Sequence, residues 1–324
     1  WFPLVRNTKE KYSRLSFLHF HLHYYQKLLI KHKPVLVIVW NGNDPRQLMF
    51  SRLASRFEIE SLFVERGPLP SVLFCDKKGV LNKSSVTSID LSHIKSSVLD
   101  YIFFDDYIAW YNKSSETLWK QPKTIGYSDL REHLGIDESK KIILFVGQVD
   151  NDIQSKLFSP YFKTNLEAFD WFLKNSGFEN HFVIGKHHPK SSIPIETYRR
   201  LITNRTDVIW TDSLALDICL NIADYVVAVN SSVIFDAMLY SKPVLTLGLS
   251  LMSNKNITYE YNGTNSATIM NLFKTKDGFE NKRANYKIFL EYLFREHIYF
   301  TKKGDESERL ADRLFELKKE NSIN

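Results

Sequence analysis

The second half of the chain alternates short apolar segments with segments in which apolar residues recur at helical spacing, and this alternation constrains the fold more than any other feature. The apolar segments are strand candidates at 142–147, 181–185, 207–210, 225–229 and 243–247. Helices are predicted between them, near 163–176, 194–203, 213–222 and 232–240. Strands separated by helices form βαβ units, so the sequence predicts a parallel sheet.

The first half of the chain also alternates predicted strands and helices, but it contains fewer strands. It predicts helices at 14–32 and 45–57, strands at 35–42 and 60–67, a hairpin at 72–81 and a helical segment at 92–119. A chain of 324 residues is long enough for two domains of about 150 residues each. We therefore predict an α/β protein with two Rossmann-like domains, at 1–125 and 126–280, a cleft between them, and a charged helical segment at 281–324.

Net charge and cysteine content indicate which partners and which cellular compartment to expect. The formal net charge of +6 favours anionic partners such as a nucleotide sugar, an acidic glycan or an anionic membrane surface. No nucleic-acid motif accompanies that charge, so nucleic acid is not an expected partner. Cys75 and Cys219 give neither a disulfide framework nor metal-ligand spacing, which is typical of a cytoplasmic protein. His19 and His23 share a helical face without an acid or cysteine beside them, so a metal site there is not favoured.

Polar clusters follow three of the predicted strands, as GQVDND at 147–152, GKHHPKS at 185–191 and VNSSVIFDAM at 229–238. The carboxyl ends of parallel strands meet at one edge of a sheet, where ligands bind. A helix start with hydroxyls beside it suits a phosphate, so Ser231 and Ser232 are candidates together with Lys186 and His188. The alternative is that either serine is only a helix N-cap. Asp236, one turn on, is a candidate for the ribose hydroxyls.

Three carboxylates are candidates for catalysis. Asp150 and Asp152 follow a predicted buried strand directly, before a helix can begin. Glu65 ends a predicted strand in the first half and is a candidate general acid or base. The structural alternative for Glu65 is a salt bridge to Arg66 or another cation.

At these motifs the sequence resembles the capsule polysaccharide biosynthesis proteins of Gram-negative bacteria, which include the retaining β-Kdo glycosyltransferases (Kdo is 3-deoxy-D-manno-oct-2-ulosonic acid). The family's "GQVEDDAS" is similar to GQVDNDIQ at 147–154, its "HP" to His188–Pro189, its "STVGFEAL…GKPV" to SSVIFDAMLYSKPV at 231–244, its "EDGF(L/I)RS" or "ELGYLRP" with a "D..G" turn to ERGPLP…CDKKG at 65–79, and its "KYN" to WYN at 110–112. The chain departs from the family in having Asp150 and Asp236 where Glu is usual, Asn151 where Asp is usual, and Arg66 after Glu65.

The resemblance implies a GT-B-like fold, CMP-Kdo as donor, no metal or other cofactor, and retention through a covalent glycosyl-enzyme. It implies Asp152 as nucleophile with Asp150 as the second candidate, Glu65 as the base for the acceptor hydroxyl, and Gln148 as a contact of the sugar. The implied nucleotide-binding residues are Lys186, His188, Pro189, Asn230, Ser231, Ser232 and Asp236. The acceptor is expected to be an acidic glycan or glycolipid, and the protein to act in the cytoplasm, with peripheral contact at the inner membrane.

Two other functions are compatible with these residues. A different transferase on the same fold, using another CMP-sugar as sialyltransferases do or another nucleotide sugar, would keep the phosphate contacts but would favour inversion with a general base. A non-catalytic capsule-assembly module that binds glycan or lipid would keep the fold alone. The basic segment at 273–287 would serve docking on an anionic surface in each case.

Overall fold

The computed structural model describes residues 8–94, 100–114, 130–150, 153–175, 180–264, 276–303 and 305–320. Contacts within the chain divide it into two compact units. The first unit comprises residues 1–67, 71–88 and 294–324, and the second comprises residues 68–70 and 89–293. The described strands form one sheet in each unit.

The sheet of the first unit is mixed, with strand order β1-β2-β3-β10. The elements of this unit are α1 (Thr8–His32), β1 (Leu36–Trp40), α2 (Pro45–Arg56), β2 (Glu60–Arg66), β3 (Val72–Asp76), β10 (Ile298–Phe300) and α11 (Asp305–Glu320). Strands β1 and β2 are parallel, as expected from the helix that joins them, whereas β3 runs antiparallel to both of its neighbours. The predicted helices at 14–32 and 45–57 and the strands at 35–42 and 60–67 are confirmed.

The predicted hairpin at 72–81 is wrong. Strand β3 ends at Asp76, whose Oδ1 accepts the backbone N–H groups of Lys78 at 2.7 Å and Gly79 at 3.1 Å. Its Oδ2 accepts the N–H of Ser85 at 3.0 Å and the hydroxyl of the same residue at 2.5 Å. The chain therefore wraps around a buried carboxylate after β3 instead of turning back to pair with it, and the partners of β3 are β2 and β10.

The second unit contains a six-stranded sheet in which every pair is parallel, with strand order β6-β5-β4-β7-β8-β9. Its elements are α3 (Ile102–Tyr111), α4 (Leu130–His133), β4 (Lys141–Val146), α5 (Ile153–Phe158), α6 (Asn165–Asn175), β5 (His181–Lys186), α7 (Ile195–Leu201), β6 (Val208–Thr211), α8 (Leu216–Ile222), β7 (Tyr225–Ala228), α9 (Val233–Leu239), β8 (Val244–Thr246), β9 (Tyr259–Glu260) and all but the last three residues of α10 (Lys276–Glu296). The predicted parallel sheet is confirmed. Strand order reverses at β4, which lies between β5 and β7, and such a reversal is the usual ligand-binding position in open α/β sheets.

The core of the second unit is aromatic on one face of its sheet. Trp210 of β6 stacks on Tyr198 of α7 with ring centroids 3.9 Å apart and contacts Phe169 of α6 at 4.5 Å. The Trp210 ring crosses Gly185 of β5 so closely that a Cβ atom at Gly185 would lie 1.9 Å from Cε3 of the indole. Glycine is therefore required at the second-last position of β5, where the indole covers the strand.

The units are bounded differently from the predicted domains at 1–125, 126–280 and 281–324. Residues 294–324 belong to the first unit, because Ile298 in β10 pairs with Phe74 in β3. Residues 89–293 belong to the second. The functional division into those three segments, and the cleft, stay predictions.

Candidate active site

The three polar clusters predicted in the second half follow strands that are neighbours in the sheet. Strands β4, β5 and β7 end at Val146, Lys186 and Ala228, and β4 is paired with both of the others in parallel register. Gly147 follows β4 and lies very close to the end of the neighbouring strand β5. A Cβ atom at Gly147 would lie 2.5 Å from the carbonyl oxygen of Lys186. The clusters therefore meet at one edge, as the parallel topology predicts.

Gln148 links the ends of β4 and β7. Its Nε2 donates to Asn230 Oδ1 at 2.9 Å and to Ser155 Oγ at 2.6 Å, and its Oε1 accepts the backbone N–H of Asn230 at 3.2 Å. Asn230 in turn donates to the carbonyl oxygen of Phe158 at 3.0 Å. Both residues are buried. This network fixes the two strand ends relative to each other; contacts of Gln148 or Asn230 with a donor stay predictions.

Asp150 binds the start of α6. Its Oδ1 accepts the backbone N–H of Asn165, the first residue of that helix, at 2.7 Å, and a carboxylate is favourable at this end of a helix. Its Oδ2 is buried and has no hydrogen-bond partner among the described residues. Asp150 therefore has a structural function, and its candidacy as nucleophile stays a prediction. Asn151 and Asp152 lie outside the described residues.

Lys186 is a buried cation, with 6% of its surface exposed. Its ammonium lies 3.3 Å from the carbonyl oxygen of His187 and 3.5 Å from that of Asp212. Within the described parts of the chain, no carboxylate forms an ion pair with it. Burial lowers the pKa of Lys186, because removal from water disfavours the charged amine. Two carbonyl contacts and the attraction of Asp212, which forms no ion pair with Lys186, compensate the buried charge only in part. The site therefore suits an anionic ligand.

In each of the two histidines after β5, the Nδ1 atom accepts a hydrogen bond. His187 Nδ1 accepts from the indole N–H of Trp210 at 3.0 Å, and His188 Nδ1 accepts from the backbone N–H of Lys190 at 3.0 Å. A neutral imidazole that accepts at Nδ1 carries its proton on Nε2. Burial lowers the pKa of His187, which favours that neutral form. Each ring is therefore an Nε2–H donor, and sequence reasoning had selected His188 and Pro189 without His187.

The first backbone N–H groups of α9 donate hydrogen bonds to oxygen atoms of the two serines at the start of the helix. Ser231 Oγ accepts from the N–H of Val233 at 3.3 Å, and the carbonyl oxygens of Ser231 and Ser232 accept from Ile234 at 3.2 Å and Phe235 at 2.9 Å. Ser232 occupies the N-cap position without a side-chain hydrogen bond to the helix. Ser232 therefore stands at the N-cap position, whereas Ser231 supplies the side-chain hydrogen bond to the start of the helix. Phosphate binding by either serine stays a prediction.

Asp236 has a partner that sequence reasoning missed. The hydroxyl of Tyr111 donates to Asp236 Oδ1 at 3.0 Å. Burial raises the pKa of Asp236 to about 7, and the hydrogen bond from Tyr111 opposes this increase. Tyr111 belongs to the WYN motif, but nothing in the local sequence relates it to a residue 125 positions away. The predicted contact of Asp236 with a ribose stays untested.

Glu65 belongs to a separate polar group in the first unit. It lies at the end of β2, and its Oε1 accepts from Asn41 Nδ2 at 2.5 Å. Asn41 follows β1, and the backbone N–H of Asn43 donates to Asn41 Oδ1 at 3.1 Å. Polar residues after a buried strand were the signal used in the second half, and the same signal would have identified Asn41. The structure supplies an orienting partner for Glu65, while its function as a base stays a prediction.

Among the residues that the structure describes, no group of three or more His, Cys, Asp or Glu side chains is arranged to hold a metal ion. None of the helices in the same ranges combines the length and apolar character needed to cross a bilayer.

The parallel sheet of the second unit and the polar residues at the carboxyl ends of its strands define an open α/β architecture. Comparison with known proteins identifies the family. The model of the family described as capsule polysaccharide biosynthesis protein matches residues 105–297. This match spans more than half of the chain, and the chain belongs to that family.

Two solved structures share its fold. Thermosulfurimonas dismutans KpsC, β-Kdo 2,7 transferase, is 19% identical with a TM-score of 0.56, covering 91% of this chain and 89% of that one. Thermosulfurimonas dismutans KpsC, β-Kdo 2,4 transferase, is 13% identical with a TM-score of 0.55, covering 83% and 82%. A comparison with curated protein sequences finds no match. The predicted α/β, GT-B-like fold class is confirmed.

Proposed function

We propose that this protein is a retaining glycosyltransferase that transfers β-Kdo from CMP-Kdo to a glycan or glycolipid acceptor of a bacterial surface polysaccharide. Membership of the capsule polysaccharide biosynthesis family and the fold shared with two β-Kdo transferases support the substrate class. The observation that carries the proposal is the buried ammonium of Lys186 at the polar strand edge of the second unit.

Lys186 is suited to stabilise the leaving group. Departure of CMP places a second negative charge on a phosphate monoester, and a preorganised cation in a site of low dielectric stabilises that charge strongly. The Nε2–H groups assigned to His187 and His188 add two neutral donors following the same strand. Since a single phosphate is released, this set of donors provides the charge stabilisation without a metal ion.

The proposed chemistry has two displacements. A carboxylate oxygen of Asp152 forms a bond to the anomeric carbon of Kdo, while the bond from that carbon to the phosphate oxygen breaks and its electron pair leaves with CMP. The acceptor hydroxyl then forms a bond to the same carbon and displaces Asp152, and its proton passes to Glu65. Two inversions give net retention, as in retaining glycosidases. Asp150, two positions before Asp152 in sequence, accepts the N–H of Asn165 at the start of α6 and keeps a structural role in this scheme.

The test is intact-protein mass spectrometry after incubation with CMP-Kdo in the absence of acceptor. We expect a mass increase of one Kdo residue on the wild type and on Asp150→Asn, which keeps a carbonyl oxygen for the Asn165 N–H. The adduct is expected to be lost with Asp152→Asn. Asp170→Asn is the matched control, because Asp170 is a surface carboxylate on α6 paired with Lys174.

Three outcomes would change the proposal. An adduct that is lost with Asp150→Asn and retained with Asp152→Asn would transfer the nucleophilic role to Asp150. Turnover of CMP-sialic acid with inversion, and none of CMP-Kdo, would identify a different CMP-sugar transferase. Binding of acidic glycan without CMP release from either donor would indicate a non-catalytic assembly module.

A further inference from the structure

Helix α1 exposes a stripe of aromatic and basic side chains. Phe20, Tyr24, Lys27 and Lys31 follow one another at intervals of four, three and four residues, which places them on one helix face. Phe20 is 66% exposed and Tyr24 is 50% exposed, and their rings are parallel with centroids 6.4 Å apart. Both lysines are exposed. We call these four residues the α1 stripe.

The α1 stripe is not the face by which the helix packs. Leu29 is 2% exposed, and Tyr25 contacts Phe50 of α2 edge to face with ring centroids 5.0 Å apart. The helix is therefore held to the first unit by one side. Large aromatic side chains that remain exposed on the other side of a held helix commonly mark a binding surface.

A shallow apolar depression extends this surface. An open groove of about 750 Å³ lies along α1, and its walls include Leu15, Leu18 and Leu22 together with Met49 of α2. Phe20 also lines it. The exposed apolar area is thus continuous from the first half of α1 to the stripe, and it is followed by the two lysines towards the end of the helix.

The positive charge of α1 favours an anionic partner. The helix contains one acidic residue, Glu10, and five lysine or arginine residues, at positions 9, 11, 14, 27 and 31. It also contains four histidines, at 19, 21, 23 and 32. Aromatic side chains at the level of the lipid headgroups and lysines that attract anionic lipids both favour binding at a membrane surface.

We propose that the α1 stripe docks the protein on the surface of an anionic lipid bilayer, with Phe20 and Tyr24 among the headgroups and Lys27 and Lys31 against lipid phosphates. Self-association through this face is disfavoured, because it would bring two lysine-rich helices together. The proposal concerns attachment and is independent of the donor and of the reaction mechanism.

The test is co-sedimentation of the full chain with vesicles of phosphatidylcholine containing phosphatidylglycerol, beside vesicles of phosphatidylcholine alone. We expect binding to the anionic vesicles and little binding to the neutral ones. Lys27→Gln/Lys31→Gln is expected to weaken partitioning roughly 10- to 30-fold, since each lysine near an anionic surface contributes substantially. Phe20→Ser/Tyr24→Ser is expected to weaken it at least about tenfold.

Control variants carry changes of the same kind elsewhere in the protein. Phe315→Ser removes a ring that is 63% exposed on α11, and Lys78→Gln/Lys163→Gln removes two other exposed lysines; both are expected to bind as the wild type does. Equal binding of the stripe and control variants, or no preference for anionic vesicles, would overturn the proposal. A lipid-free dimer that dissociates with Phe20→Ser/Tyr24→Ser would show instead that this face joins two copies. Release of CMP from a soluble donor should be unaffected by the stripe variants.

Discussion

The hydroxyl of Tyr111 donates a 3.0 Å hydrogen bond to the carboxyl of Asp236, joining α3 to α9 within the second unit. Asp236 is 7% exposed, so its charge is not solvated by water. One hydrogen bond from a neutral hydroxyl only partly replaces that hydration. The pair therefore couples the ionisation of Asp236 to the stability of this unit, and the coupling can be measured.

Asp236→Asn is expected to remove a component of the pH dependence of folding. Burial raises the pKa of Asp236 from 3.8 to about 7, so between these values the folded state holds a proton that the unfolded state has released. The free energy of unfolding therefore falls as pH rises through this interval, by at most about 4 kcal/mol for this group. Urea unfolding at several pH values in this interval should show that the free energy of unfolding falls less steeply with pH in Asp236→Asn than in the wild type. Equal slopes for the two proteins would contradict the assigned burial of the charge.

Tyr111→Phe is expected to destabilise the protein by about 1–3 kcal/mol at a pH above 7, where Asp236 is ionised and loses its donor. The hydrogen bond from Tyr111 lowers the pKa of Asp236, so the variant should also raise that pKa further. The loss should be smaller when Asp236 is already Asn, which a double-mutant cycle measures. Tyr24→Phe, at an exposed position, is the control and should leave stability unchanged. Additive effects of the two site mutations would show that they do not interact.

The sequence predicted the second sheet well because its signals are local. Each of the five predicted strands there is a short apolar segment between helical segments, and the polar residues that follow three of them come next in sequence. The sixth strand, β9, has only two residues and was not predicted. Parallel topology then requires the ends of β4 and its neighbours to meet. Gln148 and Asn230 were thus predicted to lie together, although their direct hydrogen bonds were not.

The sequence did not predict features that depend on distant parts of the chain. Strand β10 has three residues, too few to show a period, and it was included in a helical tail. Its position depends on pairing with β3, more than 200 residues earlier. The partnership of Tyr111 with Asp236 was missed for the same reason. The wrong hairpin after β3 has a different cause, since the turn residues were recognised but the capping of their N–H groups by Asp76 was not.

Gly185→Ala is expected to destabilise the second unit by about 3 kcal/mol or more, because the new methyl group would overlap the Trp210 ring. The ring cannot move aside easily, since it is stacked on Tyr198 and packed against Phe169. Gly135→Ala is the matched control, with open space around the position but a φ of +62°, and it should cost only about 1 kcal/mol. Thermal and urea unfolding of both variants would make the comparison. Because Gly185 has no positive φ, a loss no larger than that of Gly135→Ala would mean that the Trp210 ring moves aside for the new methyl group.

Lys186→Met is expected to separate stability from ligand binding. Burial lowers the pKa of Lys186, so the charged amine opposes folding, and an apolar side chain of similar length should leave the melting temperature unchanged or raise it. The same substitution removes a charge-assisted contact of about 1.5–3 kcal/mol, so the affinity for CMP should fall about 10- to 100-fold. Calorimetric titration with CMP, beside thermal unfolding, measures both quantities. Lys242→Met is the control, because burial also lowers the pKa of Lys242 but its ammonium donates to the carbonyl oxygen of Asn221, away from the strand ends. Unchanged CMP affinity in Lys186→Met would remove Lys186 from the phosphate site, whereas a large loss of stability would show that its ammonium is well compensated within the protein.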